Sequence, residues 1–156
     1  MDVFVDADWA GCPITRRSTT GFVIRFLGST INFGSRTQAT VALSSAESEL
    51  YAINTGATEG LHAKNFILES GLADKLNMRI HTDSSSGKSI ATRVGASKKA
   101  KHIDRKHLFI QQLVHQGILV ILKIGTHDNI ADILTKYVSA ETLMRRLYNA
   151  GLLGHH

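Results

Sequence analysis

Polar and apolar positions alternate with a period of two in DVFVDAD, residues 2 to 8, which reads as a half-buried β-strand. Two more strands are predicted, TTGFVIRFLG over about 19 to 27 and STINFGSRTQ over about 29 to 36. Gly28-Ser29 marks a short hairpin turn between them, and the polar loop AGCPITRRST separates the first two strands. The period then changes to about 3.6 in SSAESELYAINTGATEGLHAKNFILESG, which predicts one long helix from about 44 to 69. Ala46, Leu50, Ile53, Ala57, Leu61 and Leu68 form its apolar stripe, a serine stands at the N-cap, and Gly71 follows the end. After it come a strand at MRIHT (78 to 82), a helix at SSGKSIATR (85 to 93) and a basic stretch leading into a helix that ends near 115. GILVILKIGT (117 to 126) is a strand, and the chain finishes helically from about 129 to 150. The order β-β-β-α-β-α-α-β-α predicts a mixed sheet covered by helices.

Composition narrows the class. A chain of 156 residues with 43% hydrophobic and 20% charged residues is expected to fold as a single domain with a real core. No apolar run approaches the roughly 18 residues of a membrane helix, and the N-terminus has no signal-peptide pattern, so no membrane partner is expected. The single Cys12 excludes an internal disulfide and suits a reducing compartment. A net charge of +5 and a pI near 9.6 fit an anionic partner such as nucleic acid, or a merely basic protein. Lys98, Lys99, Lys101, Arg105 and Lys106 crowd into SKKAKHIDRKH, with Arg16 and Arg17 as a second small cluster.

Four acids stand where carboxylates need a reason. Asp6 shares a strand face with Phe4 and Asp8, opposite Val3, Val5 and Ala7. On the long helix, Glu47 falls with Tyr51, Asn54 and Thr58 on the polar side, whereas Glu49 borders the apolar stripe that packs on the sheet. Asp83 ends the strand MRIHT, at the carboxyl end where sites gather in open α/β sheets. Asp132 lies in the first helical turn of DNIADILTK. Each has an ordinary alternative: a turn former, a snorkelling rim residue, a helix cap or a dipole-complementing acid. Together they would repel one another unless cations neutralised them. Oxygen ligands without a Cys/His constellation point to Mg²⁺ or Mn²⁺. Two such ions about 4 Å apart can activate a water and stabilise the leaving oxygen in phosphodiester hydrolysis.

The stretches VDADWAGC, RRSTTGFVI, INFGSRTQATVALSSAESELYAI, HTDSSS, KHID and DNIADILTK, in this order over roughly residues 3 to 137, resemble the ribonuclease H domain of copia-type LTR retrotransposon Pol polyproteins. That resemblance implies a ribonuclease H-like fold, with a five-stranded sheet in the order 3-2-1-4-5 and the second strand antiparallel. It implies a core over about 2 to 137 and a C-terminal helical extension over about 138 to 153. Motif by motif it assigns a D-E-D-D site of catalytic, metal-holding acids to Asp6, Glu49 (in SELYAI), Asp83 and Asp132, with two Mg²⁺ ions for which Mn²⁺ can substitute. Asp8 belongs to the family's Asp-x-Asp-Trp without a known chemical duty. HTDSSS departs from the Asp-Asn usual in copia-type members and is more like cellular ribonucleases H. The mobile histidine that cellular and retroviral relatives carry upstream of the last aspartate has no equivalent at that spacing. His127, five residues before Asp132, is a candidate for proton transfer or a solvated loop residue.

The activity implied is metal-dependent endonucleolytic cleavage of the RNA strand of RNA–DNA hybrids during reverse transcription. The partners implied are that hybrid and the reverse transcriptase domain of the same polyprotein, in a cytoplasmic virus-like particle. Gly11, Ser44, Ser45 and Ser84 fall where family members contact nucleic acid, and Lys98, Lys99, Lys101, Arg105 and Lys106 could bind DNA-strand phosphates or form a solvated helix face. Trp9 reads as core or loop packing rather than base stacking. An initial Met and a terminal His155-His156 pair, read as a tag remnant, suggest a piece cut from a longer polyprotein. Two rivals remain: a catalytically silent hybrid-binding or spacing module, and a DNA-cutting integrase or resolvase relative, against which RRSTTG and ADILTK speak.

Overall fold

A computed structural model describes residues 1–92 and 103–153. Five strands, β1 (Asp2–Asp8), β2 (Thr19–Phe26), β3 (Ser29–Thr37), β4 (Met78–Thr82) and β5 (Leu119–Lys123), form one sheet in the order β3-β2-β1-β4-β5. β2 is antiparallel to both β1 and β3, while β4 is parallel to β1 and to β5. The helices are α1 (Ser45–Glu69), α2 (Ser85–Thr92), α3 (Ile103–His115) and α4 (Ala140–Asn149). The sheet order is the one the resemblance implied. Among the described residues no helix is long and apolar enough to cross a membrane.

The main core lies between the sheet and α1, α2 and α3. Val3, Val5, Phe22, Ile24, Met78, Ile80, Leu119 and Ile121 meet Leu50, Ile53, Ala57, Ala91, Ile110 and Leu113 there. Near the end of α1 the buried residue is Ile67, not the expected Leu68, which is half-buried. A smaller cluster of Val23, Ile130, Ala131 and Ala150, with Phe4 and Leu134 against it, closes the opposite face. Alternation along β1 explains the division: odd residues enter the main core, and Phe4 faces the smaller one.

Three further expectations need correction. Residues 129 to 150 are not one helix. Two short 3₁₀ turns (Thr126–Asp128 and Ile130–Leu134) come first, and α4 starts only after Ser139, whose hydroxyl accepts the Thr142 N–H as its N-cap. The break has a tertiary cause, because the Thr135 hydroxyl and the Asp132 carboxylate are drawn sideways into long-range bonds. β5 is also shorter than expected, ending at Lys123 where Ile124 makes a last bond to the Thr82 carbonyl.

The β2–β3 turn is Leu27-Gly28, one residue earlier than expected, with φ of 50° and 84°. A two-residue turn with both central residues at positive φ matches the right-handed twist of the strands, but a side chain there is strained. Leu27 is 88% exposed, so its replacement costs no packing. Leu27→Asn is expected to raise stability by about 1 kcal/mol, a Tm increase of about 2–4 °C in a thermal melt.

Candidate metal centre

Asp6 sits on β1 two residues before its end, Asp83 directly follows β4, and these neighbouring parallel strands carry both acids to the same end of the sheet. α1 supplies the third. Its register over the sheet turns Glu49 toward Asp6, and one carboxylate oxygen each of Asp6, Glu49 and Asp83 lies within 4.8 Å of the others. Glu47, two residues away, has a structural task and is not on a solvated side. Its carboxylate accepts the Leu43 N–H at 2.8 Å and the Tyr51 hydroxyl at 2.7 Å, while its own N–H is capped by Ser44. Glu47 was expected on the polar side of the helix and is instead buried, 9% exposed, while Glu49 is half-buried and turned toward Asp6.

Burial dominates the electrostatics of Glu49 and Asp6. Burial raises the Glu49 carboxyl to about 8, and the neighbouring Asp6 and Asp83 charges add to the effect. Burial likewise pushes Asp6 up, opposed by the Thr135 hydroxyl that donates to it and by the Lys136 charge. One Glu49 oxygen, Oε2, is buried without a hydrogen-bond partner. A buried acceptor left bare costs free energy unless something binds it. An all-oxygen group with such an orphaned atom fits a hard divalent cation such as Mg²⁺ or Mn²⁺.

Asp132 is close, since its charge acts on Asp6, but it is not in that oxygen group. It is 2% exposed and holds two cations of the chain itself: Oδ2 pairs with Arg146 of α4, and Oδ1 with Lys136. Gly21 of β2, the register partner of Asp6, makes this approach possible. A Cβ there would stand 2.8 Å from the Ala131 carbonyl and 2.9 Å from Thr135, so any larger residue would push the Asp132 segment off the sheet. Asn129, fully buried, fastens the same segment by donating to the Val5 carbonyl at 2.9 Å, next to Asp6.

The other predicted residues are placed as follows. His127 is exposed on the first 3₁₀ turn. Ser44 caps α1 and Ser45 begins it, both exposed. Ser84 accepts the Gly87 N–H at 2.9 Å and so caps α2. Gly11 is exposed and lies so close to Asp8 that a Cβ would meet its Oδ2 at 1.9 Å. Trp9 is half-exposed, its indole N–H donating to the Ala42 carbonyl, which is loop packing. Lys98, Lys99 and Lys101 fall outside the described residues, as do the side chains of Arg105 and Lys106.

Sequence reasoning missed Thr135, Lys136, Asn129 and Arg146. Only the last left a usable signal: at helical spacing Arg146 falls beside Leu143, Leu147 and Ala150, a cation on an apolar face.

No protein-family model matches the chain. It is 36% identical over 135 residues, 86% of its length, to the retrovirus-related Pol polyprotein from transposon TNT 1-94 of Nicotiana tabacum. The chain spans about 10% of that polyprotein and of two Arabidopsis thaliana relatives. Among solved structures it resembles an RNase H1 isolated from compost, with a TM-score of 0.63, 20% identity and coverage of 94% of this chain and 96% of that one. The same enzyme in complex with an RNA/DNA hybrid aligns at a TM-score of 0.53 and 18% identity over 86% and 92% of the two chains. The protease-reverse transcriptase of prototype foamy virus aligns at 0.52 and 16%, covering 97% of this chain and 20% of that one. At these identities the structures share the fold. These three relatives are retrovirus-related Pol polyproteins of plant transposons.

Proposed function

We propose that this chain, homologous to the copia-type Pol polyproteins of plant transposons and built on the ribonuclease H fold, is a divalent-cation-dependent endoribonuclease that cuts the RNA strand of RNA–DNA hybrids during reverse transcription. The observation that carries this reading is the convergence of Asp6, Glu49 and Asp83 within 4.8 Å, with Glu49 Oε2 buried and unpartnered. Asp6, Glu49 and Asp83 would hold the cation, with two Mg²⁺ ions as the expected complement and Mn²⁺ able to replace them. Such ions supply Lewis-acid activation of water and offset charge developing on the phosphate and leaving oxygen.

The chain's own residues do the rest. Glu49, protonated near neutral pH when alone, gives up its proton as positive charge arrives. The Thr135 hydroxyl orients Asp6, and the burial of Asp6 keeps bulk water from screening its carboxylate. Hydrolysis in this reading leaves a 5′-phosphate and a 3′-hydroxyl. An open cleft beside Asp8, lined by Gly11, Ser35, Thr135, Lys136 and Tyr137, gives the hybrid an approach. The exposed Gly11, Ser44 and Ser45, the half-buried Ser84 and the basic stretch around Lys98, Lys99, Lys101, Arg105 and Lys106 would contact its backbones. His127, exposed in the loop before Asp132, is offered for proton transfer. The reverse transcriptase part of the same polyprotein is the expected partner, in a reducing, cytoplasmic particle.

The test is cleavage of one labelled RNA–DNA hybrid with Mg²⁺, Mn²⁺ or EDTA, beside RNA duplex and DNA duplex controls. Metal-dependent cutting confined to the RNA strand of the hybrid is expected. Binding without cutting would leave a silent hybrid-binding module, and cutting of duplex DNA would point to integrase-like chemistry.

A further inference from the structure

Arg146 comes from α4, beyond the last strand and turns of the core, yet it is buried, at 4% exposed. Its guanidinium donates to three acceptors on the Asp132 segment: the Asn129 carbonyl at 2.8 Å, the Thr126 carbonyl at 3.2 Å, and Asp132 Oδ2. A planar fork with this many partners fixes a carboxylate in place, and a buried pair of this kind cannot open without stranding a charge. The other oxygen of Asp132 is held quite differently. Lys136 reaches Oδ1 from one helical turn on, with 46% of its side chain exposed. Its ammonium also lies in the field of Asp6 and Asp83. A half-exposed lysine can leave for solvent at small cost.

We infer that Arg146 is a positioning residue that holds Asp132 by Oδ2, and that Lys136 is a displaceable counter-ion on Oδ1 that competes with a divalent cation for the same carboxylates. The inference rests on the cation reading of Asp6, Glu49 and Asp83. One oxygen of Asp132 is committed to the fold and the other is exchangeable, so the fourth acid would join the cation site only when Lys136 moves away. α4 thereby becomes part of the site rather than an appendage, since it carries the residue that aims Asp132. Arg146 also ties down the turn that carries His127, through the Thr126 carbonyl.

Mn²⁺ binding to the whole chain, measured by calorimetry without nucleic acid, tests this alongside thermal melts with and without Mn²⁺. Lys136→Met is expected to tighten Mn²⁺ binding by about tenfold, by removing a positive charge that acts on Asp6 and Asp83. It should also lower the Tm in EDTA, with the loss recovered in saturating Mn²⁺. Arg146→Met is expected to weaken Mn²⁺ binding by about 10–100-fold, the usual effect of losing a residue that orients a ligand. Arg146→Lys should restore the charge without the fork and recover only part of that affinity. If Arg146→Met does not fold, Lys136→Met still decides, because its exposed side chain is not needed for packing. Unchanged or weakened Mn²⁺ affinity in Lys136→Met would overturn the counter-ion role, and unchanged affinity in a folded Arg146→Met would overturn the positioning role. A folded wild-type chain that binds no Mn²⁺ would instead remove the underlying cation reading, and this inference with it.

Discussion

Asp6→Asn and Asp83→Asn are each expected to reduce cleavage of an RNA–DNA hybrid by more than about 100-fold while leaving the chain folded. Both substitutions keep size and shape but remove the negative oxygen that a divalent cation needs. For Asp6 the folded chain should not suffer in EDTA, because burial already disfavours the charged carboxylate. The Thr135 hydroxyl keeps an acceptor in the asparagine oxygen. A steady-state assay on labelled hybrid, with circular dichroism melts as the folding control, reads both effects. Activity retained in both variants would sink the assignment of the site.

Glu49→Gln is expected to separate stability from cation binding, and its effect depends on pH. The Glu49 carboxyl is raised from 4.5 to about 8, chiefly by burial. Between those values the folded chain keeps a proton that the unfolded chain has released. The folded state therefore binds more protons, and stability falls as pH rises through that window, by up to about 1.4 kcal/mol per unit. Glutamine carries no such proton, so in EDTA the variant should lose this slope and exceed the wild type in stability near pH 8. Mg²⁺ should stabilise the wild type and not the variant, because the cation takes the place of the proton. Denaturant titrations of both proteins from pH 5.5 to 8 provide the measurement. Parallel pH profiles would mean that Glu49 is not held as a desolvated acid.

These expectations draw on features that were unequally visible in the sequence. β1 and β4 have the predicted boundaries, and α1 starts one residue after the predicted serine cap, because period, turn residues and capping are local properties. The separation of Glu49 from Glu47 also followed from helix geometry, since residues two apart point to different sides. The same geometry put Tyr51 on the face of Glu47 but could not reveal that Glu47 is buried, because its other partner, the Leu43 N–H, comes from the way the chain enters the helix. The segment from 129 to 150 was misread for a related reason. Its apolar spacing is helical, but long-range bonds from Asn129 to Val5 and from Thr135 to Asp6 outweigh the local preference and break it into turns.

The sequence by itself determined the order of elements, the strand and helix periods, and which acids stand at strand ends or at the edge of an apolar stripe. These depend on neighbours a few residues away, and hydrophobic burial enforces them wherever the chain folds. The tertiary structure alone decided which acids meet. It brought Asp6, Glu49 and Asp83 to one point and gave Asp132 to Arg146. The Asp132–Arg146 ion pair, between a turn and the C-terminal helix, depends on distances that no local pattern encodes, and the energy of a buried charge is set by whichever partner the fold delivers.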